Sequence, residues 1–197
     1  MDEVPLFPLN TVLFPGGELP LRIFEPRYLS MVAERMKHQL PFGVVLISQG
    51  QEAGPAASFH KVGTLARIID FDQLDDGSLG LACKGETRIR VDSHRVMPDQ
   101  LVIAKVTLVE ESTHWIAEGF GDRLDNICRF LREIRERQGA ASGDYEDTPD
   151  HWENPEWVSF QAAGILPLSP ENRQLILEMS VAERILEIDH VLSDNRL

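Results

Sequence analysis

Catalytic serines and metal ligands must stand at particular spacings, and the chain has only weak candidates for either kind of site. Ser142, in the sequence ASG, lacks the strand, sharp turn and helix that expose a nucleophilic serine. The histidines lack the H-x-x-x-H spacing that places two metal ligands on one helical face; they are residues 38, 60, 94, 114, 151 and 190. Four aspartates near a predicted turn lack the spacing and the terminal glutamate of a calcium loop: Asp70, Asp72, Asp75 and Asp76. We therefore predict no catalytic residues, no metal and no cofactor.

Phosphate-binding and redox motifs are also missing. Nucleotide phosphates are commonly held by G-x-x-x-x-G-K-[ST], and the nearest imitation, Gly80 to Gly85, lacks the terminal lysine and hydroxyl residue. Cys83 and Cys128 are isolated, without a C-x-x-C pair. We expect two buried thiols in a reducing compartment. From these absences we predict that the chain is not an enzyme.

A short basic stripe is the best candidate for a polar binding surface. It consists of Lys84, Arg88 and Arg90, and the two arginines point to one side of a predicted strand whose other side is apolar. Glu86 and Asp92 interrupt the stripe. An ordinary solvated strand face explains the pattern as well as a binding surface does.

Glu25 and Arg27 flank Pro26 at a predicted turn and form a second charged group. Our interpretation of this pair is structural. Glu25 lies near a helix N-terminus, where negative charge is favourable, and Arg27 is expected to tie that helix to the rest of the fold through hydrogen bonds.

Net charge limits the partners. The total is -13, and it divides into 11 Lys/Arg against 14 Asp/Glu in residues 1–110 and 8 against 18 in residues 111–197, net -3 and -10. Such a field repels phosphate backbones, so nucleic acid is an unfavoured partner. No apolar run approaches the roughly 18 residues of a membrane span, and the first residues do not resemble a secretory signal. We expect a cytoplasmic protein without a membrane partner.

The first half has the pattern of a β barrel with one inserted helix. Pro26 at the first helical position and the spacing of the apolar residues after it predict a helix over residues 26–38. Residues 49–58 are rich in Gly, Ala, Pro and Ser and predict a surface loop with a mobile character. Asp76-Gly77 predicts a tight hairpin. The expected strands are 18–24, with Pro20 at an edge or bend, and then 42–47, 62–71, 78–83, 87–91 and 101–109.

The second half has a helical pattern. Apolar residues at steps of three and four from Ile116 to Ile134 predict a long helix ending near Gly139. An acidic, solvated loop is expected over residues 139–156, followed by a helix near residues 157–163. Ser169 before a proline and the capping box Ser180-x-x-Glu183 predict the starts of two more helices.

Four motifs in order resemble the N-terminal, substrate-binding domain of Lon proteases. Residues 5–28 resemble its N-terminal signature, residues 62–66 its V-G-T-x-A strand and residues 85–88 its G-x-x-R strand. Residues 163–185 resemble the helical part that follows its barrel. The residues that carry the resemblance as structural motif are Pro8, Pro15, Gly16, Pro20, Phe24, Glu25, Pro26, Arg27, Tyr28, Gly63, Gly85 and Arg88.

The resemblance implies an α+β fold, in which a PUA-like β pseudo-barrel with one inserted helix, residues 1–112, precedes a helical bundle, residues 113–197. It also implies a stand-alone bacterial member of the family that lacks the ATPase and the Ser-Lys peptidase of full Lon proteases.

Three functions follow from this resemblance, in descending order. The first is a non-catalytic module that binds unfolded or apolar polypeptide segments, or acts as an adaptor for a protein partner. The second is RNA binding by a PUA-like barrel, which the charge disfavours. The third is a hydrolase, supported by the family name only. The sequence leaves open the client, the binding face and the oligomeric state.

Overall fold

The structure is a computed structural model of the 197-residue chain and describes residues 3–110, 120–137 and 149–194. The chain divides into two compact units, Met1–Glu110 and Glu111–Leu197. The described part of the first contains β1 (Val4–Leu9), β2 (Glu18–Ile23), α1 (Pro26–His38), β3 (Phe42–Gln49), β4 (Ser58–Gln73), β5 (Leu79–Val96) and β6 (Val102–Leu108). The described part of the second contains α2 (Gly121–Arg137), α3 (Pro149–Trp152), α4 (Pro155–Ile165), α5 (Pro170–Glu178) and α6 (Val181–Asp194).

Five of the six strands close into a ring. β1 pairs in parallel with β3, and antiparallel pairs then join β3 to β4, β4 to β5, β5 to β6 and β6 back to β1. Closure satisfies the backbone groups that would otherwise form exposed sheet edges. β2 lies outside the ring and pairs antiparallel with the first part of β5. The predicted barrel with one inserted helix is confirmed.

β1 is fully buried although its sequence, VPLFPL, contains two prolines. β6 pairs with Val4–Leu6, and β3 pairs with Leu6–Leu9. Pro5 and Pro8 therefore each lie where β1 has a partner strand on one side only, so the missing N–H of each proline can face the open side. The first strand of the barrel is built from a segment that strand propensity disfavours.

Two apolar clusters fill the barrel unit. One lies between the sheet and α1 and includes Phe7, Tyr28, Val32 and Phe42. The other, with Leu6, Ile89 and Val102 among its members, joins residues of five of the strands. α1 begins at Pro26 and ends where Gln39 adopts a left-handed conformation with a φ of 53°. The predicted helix over residues 26–38 has the observed bounds.

The motifs V-G-T-x-A and G-x-x-R both contain a glycine against which another backbone segment packs. A Cβ at Gly63 would overlap the Val44 carbonyl oxygen, and a Cβ at Gly85 would overlap that of Phe14. Two 2.8 Å hydrogen bonds tie Gly85 to the N-terminal segment, since its N–H donates to Gly17 and its carbonyl accepts from Gly16. These glycines let the chain approach closely.

The helical unit is held by a core between α2, α4 and α6. Ser169 caps α5 by accepting a 3.2 Å hydrogen bond from the Asn172 N–H. Ser180 and Glu183 form the reciprocal bonds of a capping box at α6, at 2.9 Å from the Ser180 N–H and 3.4 Å from the Glu183 N–H. Both predicted helix starts are confirmed.

Some predicted boundaries need correction. β4 and β5 run longer than the predicted strands because β bulges let them bend and continue. The expected loop 139–156 is partly helical, since α3 begins at Pro149 and α4 at Pro155; its first part, with Gly139 and Ser142, lies outside the described residues. Among the described residues, no helix is both long and apolar enough to cross a membrane.

Candidate functional site

A groove of about 440 Å³ opens on the barrel unit between β1, β2, the start of α1 and the loop at residues 50–57. We call it the Phe24 groove. Its apolar lining comprises Phe7, Leu9, Leu19, Leu21, Phe24 and Tyr28, and its polar wall comprises Arg22, Glu25 and Glu52. A concave, mostly apolar surface with a few placed polar groups is typical of a binding site.

The floor of the Phe24 groove is rigid, whereas its rim is exposed. The Phe7 ring lies 4.1 Å from the Tyr28 ring and 6.3 Å from the Phe42 ring, measured between centroids. Phe24, in contrast, is 63% exposed at the junction of β2 and α1. A phenylalanine this exposed is energetically unfavourable for the isolated chain, and it provides an anchor for an apolar partner.

β2 forms one side of the groove and has a partner strand on one edge only, among the described residues. An open strand edge can accept another strand through backbone hydrogen bonds. Pro20, in the middle of β2 opposite Ala82, has no N–H to offer. A ligand on this edge therefore meets an interrupted row of donors and must rely on side-chain contacts for much of its affinity.

Arg27 positions the wall of the groove. The side chain is 5% exposed, and its Nη2 lies 2.9 Å from Oε2 of Glu25. Nη1 donates to the Gln100 carbonyl at 3.0 Å, and Nη2 donates to the Glu52 carbonyl at 3.4 Å. The guanidinium also lies 4.5 Å from the centre of the Tyr28 ring. One buried arginine thus joins the start of α1 to two loops that are distant in sequence.

The loop at residues 50–57 is anchored at two points. The backbone N–H of Asn10 donates to the Glu52 carboxylate at 2.6 Å, in addition to the bond from Arg27 to the Glu52 carbonyl. The N–H of Ala56 donates to the Gln100 side-chain oxygen at 3.3 Å. These bonds hold both Glu52 and the turn at Gln100 in place.

Burial also changes the chemistry of Tyr28. Desolvation raises the pKa of its phenol to about 12, with opposing contributions from Arg27, which lowers it, and from Glu25 and Glu52, which raise it. The side chain is therefore neutral at physiological pH and acts as part of an apolar floor.

The predicted basic surface must be corrected for Arg88. Its side chain is buried, at 4% exposure, while Lys84 is half-buried and Arg90 is exposed. Arg88 is opposite Thr64, whose hydroxyl donates a 2.6 Å hydrogen bond to the Leu13 carbonyl. The N-terminal segment covers this side of the sheet, so Lys84, Arg88 and Arg90 do not form one exposed stripe.

The other motif residues lie at different places in the barrel unit. Gly16 has a φ of 74°, which favours glycine, beside half-buried Pro15. Pro8 lies in β1, and Gly63 and Gly85 contact the backbone of neighbouring segments. The motif residues that border the Phe24 groove are Pro20, Phe24, Glu25 and Tyr28. Glu52 and Gln100 were missed by sequence reasoning, because a contact between two distant loops leaves no periodic signal.

The remaining chemical candidates do not form a reactive site in the described part of the chain. No group of three or more His, Cys, Asp or Glu side chains comes together there as a metal site. Asp76 is paired with Arg22 and accepts a 3.1 Å hydrogen bond from the Ser78 N–H. Burial raises the pKa of the Cys83 thiol to about 12 and also raises that of Cys128.

Comparison with known sequences gives a consistent result. The family described as ATP-dependent protease La (LON) substrate-binding domain matches residues 3–193. Lon protease 2 of Myxococcus xanthus is 27% identical over 180 residues, which are 89% of this chain and 21% of that protein. Lon protease of Phenylobacterium zucineum is 30% identical over 181 residues, 90% of this chain and 22% of that protein. The chain spans about a fifth of the length of these relatives.

Solved structures show the same similarity. A crystal structure of a Lon N-terminal domain protein from Xanthomonas campestris matches with a TM-score of 0.73 and 31% identity, covering 95% of this chain and 97% of that one. The N-terminal domain of a Mycobacterium avium complex Lon protease matches with a TM-score of 0.72 and 16% identity, covering 98% and 100%. The latter similarity concerns the fold alone.

Proposed function

Because the chain belongs to the LON substrate-binding domain family, we propose that it is a polypeptide-recognition module that binds exposed apolar segments in the Phe24 groove without cleaving them. The free, buried thiols Cys83 and Cys128 agree with the reducing cytoplasm as its site of action. The observation that carries the proposal is the exposed Phe24 side chain at the rim of an apolar groove.

The groove favours a segment that presents apolar side chains. Burying an aromatic or aliphatic side chain against Leu19, Leu21 and Phe24 removes apolar surface from water, at about 25 cal/mol for each Å². Pro20 interrupts the edge of β2, so we expect side-chain contacts to contribute more than added backbone pairing. Sequence selectivity should then be broad, with affinity rising with apolar content.

Binding is tested with a fluorescein-labelled peptide that has an apolar, aromatic centre, polar flanks and blocked termini. Phe24→Ser removes an exposed side chain, so the fold is retained, and we expect about a tenfold loss of affinity from a contact of this kind. Phe71→Ser is the matched control, because Phe71 is also exposed on the barrel unit but lies outside the groove. Equal affinities of wild type and Phe24→Ser would contradict the groove as the binding site.

Two further measurements separate the alternatives. Incubation with an unfolded, labelled client should give no new fragments, since we propose recognition without cleavage. An adaptor would in addition bind a folded partner through another surface, and the Phe24→Ser variant would retain that partner. Loss of both interactions in this variant would contradict an adaptor with two separate surfaces.

A further inference from the structure

A second depression lies at the other end of α1. It has a volume of about 450 Å³ and is formed by the last turn of α1 and the outer part of β4. We call it the Arg35 cleft; it is lined mainly by Arg35, Met36, Leu40, Arg67, Ile69 and Phe71. Helix rise places Met36 about 12 Å from Tyr28 in the Phe24 groove. The two depressions are therefore distinct sites on the same unit.

Large apolar side chains are exposed in this cleft. Leu40, Ile69 and Phe71 are all large and about half exposed. In the pairing of β4 with β5, Ile68 is opposite Cys83 and Asp70 is opposite Ala82, so Ile69 is an extra, bulged residue. A bulge redirects a side chain, and here it leaves Ile69 half exposed in the wall of the cleft.

Arg35 supplies buried positive charge at the same place. The side chain is 13% exposed, and its Nε is buried without a hydrogen-bond acceptor among the described residues. Its nearest acidic group is Oε1 of Glu34, 3.7 Å from Nη2 on a side chain that is 63% exposed. Such an exposed, distant pair contributes little, so the desolvated guanidinium gains from a second, closer anion.

Arg67 adds a second, fixed guanidinium. It is paired with Glu86, and its Nη1 donates to the Gln39 carbonyl at 3.2 Å. The C-terminal end of a helix disfavours anions, but here the terminal carbonyls accept from neighbouring N–H groups and the last turn carries Arg35, Lys37 and His38. The electrostatic cost of an anion at this helix end is therefore offset.

We propose that the Arg35 cleft binds the C-terminal residue of a polypeptide, with its free carboxylate on Arg35 and Arg67 and its apolar side chain on Leu40, Ile69 and Phe71. The combination of apolar wall and fork-shaped donors matches this ligand, which carries both features one bond apart. The choice of a polypeptide over another apolar carboxylate rests on the proposed function of the chain.

Asp70 gives the cleft its selectivity against additional negative charge. Its Oδ1 accepts a 2.9 Å hydrogen bond from the Phe71 N–H, so the carboxylate is held at the cleft wall. An acidic side chain at the last position of the peptide would approach this carboxylate and be repelled. We infer that Asp70→Asn strengthens binding of peptides that end in Glu and changes little for those that end in Phe.

The test uses a short labelled peptide that is polar except for a C-terminal Phe, as the free acid and as the amide. We expect the acid to bind about tenfold more tightly, the size of effect that a charged hydrogen bond supports. Arg35→Gln should abolish the difference, Arg67→Gln should reduce it, and Arg35→Lys should restore part of it. Lys37→Gln is the control, because Lys37 is exposed on the same helix and does not line the cleft. Circular dichroism verifies that each variant is folded.

Three results would overturn the proposal. Equal binding of acid and amide would show that the carboxylate is not recognised, and no binding of either peptide would show that the cleft is not a site. Equal affinity for N-acetylphenylalanine or decanoate would overturn the polypeptide as ligand and leave only a small carboxylate site. None of these results affects the Phe24 groove, which is tested with blocked termini, so failure of one proposal is distinguishable from failure of the other.

Discussion

Arg27 Nη1 lies 3.0 Å from the carbonyl oxygen of Gln100, which is 73 residues further along the chain. Gln100 has a φ of 72°, so its carbonyl is presented by a turn in a left-handed conformation. The same guanidinium contacts the Glu52 carbonyl and the Glu25 carboxylate. The geometry of the Phe24 groove therefore depends on one buried cation that connects three separate segments.

We predict that Arg27→Gln destabilises the barrel unit by about 2–4 kcal/mol, because two backbone carbonyls and a carboxylate lose a buried partner. Arg27→Lys keeps the charge but not the fork, and should lie between wild type and Arg27→Gln. All three tryptophans lie in residues 111–197, so unfolding of the barrel must be followed by hydrogen exchange rather than by Trp fluorescence.

The control for this experiment is Arg90→Gln, since Arg90 is exposed on β5. Its effect should stay within about 0.5 kcal/mol. A similar, small effect for both substitutions would contradict the role of Arg27 as a structural cation.

The helix that carries Arg27 was predictable because its signals are local. Pro26 and the apolar spacing after it predict the helix, and the tertiary structure adds nothing that opposes them. β1 was not predicted as a strand, because Pro5 and Pro8 disfavour that state, and only the one-sided pairing of each half allows it.

Arg88 shows the opposite failure. Alternation along residues 87–91 predicts an exposed arginine, yet Arg88 is buried. Between Arg88 opposite Thr64 and Gly85 opposite Ala66, β5 contains one residue more than β4, and this bulge reverses the alternation. The covering segment comes from a distant part of the chain, so no local pattern reports it.

Two glycine substitutions should have effects of opposite sign. Gly85→Ala places a methyl group against the Phe14 carbonyl and should destabilise the barrel unit by about 1–3 kcal/mol, as overpacking does. Gly164→Ala in α4 meets no atom within 4 Å and should stabilise the helical unit by about 0.5–1 kcal/mol. Thermal unfolding followed by circular dichroism measures both. A neutral Gly85→Ala would contradict close approach as the reason for glycine in this motif.

The capping box of α6 predicts a dependence of stability on pH. Hydrogen bonds from the Ser180 side chain and backbone lower the pKa of Glu183 from its ordinary value of 4.5. A lowered pKa in the folded state stabilises that state above 4.5, and this contribution is lost as the pH falls through the folded pKa. Glu183→Gln should therefore weaken the loss of stability in acid, measured as urea unfolding of the helical unit by Trp fluorescence.

Ser169→Ala is the control for the capping box. Ser169 caps α5 without an acidic residue at the third helical position, where the chain has Asn172. Loss of this cap should cost about 1 kcal/mol at every pH. If Glu183→Gln and wild type lose stability equally as the pH falls, the Ser180–Glu183 pair is not the source of the pH dependence.

The two thiols allow each unit to be followed by itself. Cys83 is fully buried in the barrel unit with a pKa of about 12, so about one thiol in ten thousand is ionised at pH 8. Cys128 is buried in α2, and burial likewise raises its pKa. Because the thiolate is the reactive form, a thiol reagent should modify neither residue in the folded protein. Each should react only when its own unit opens, as measured by mass spectrometry of peptides after a short labelling pulse in increasing urea. Arg27→Gln should then lower the urea concentration at which Cys83 reacts and leave the Cys128 profile unchanged; rapid labelling of Cys83 without urea would contradict its burial.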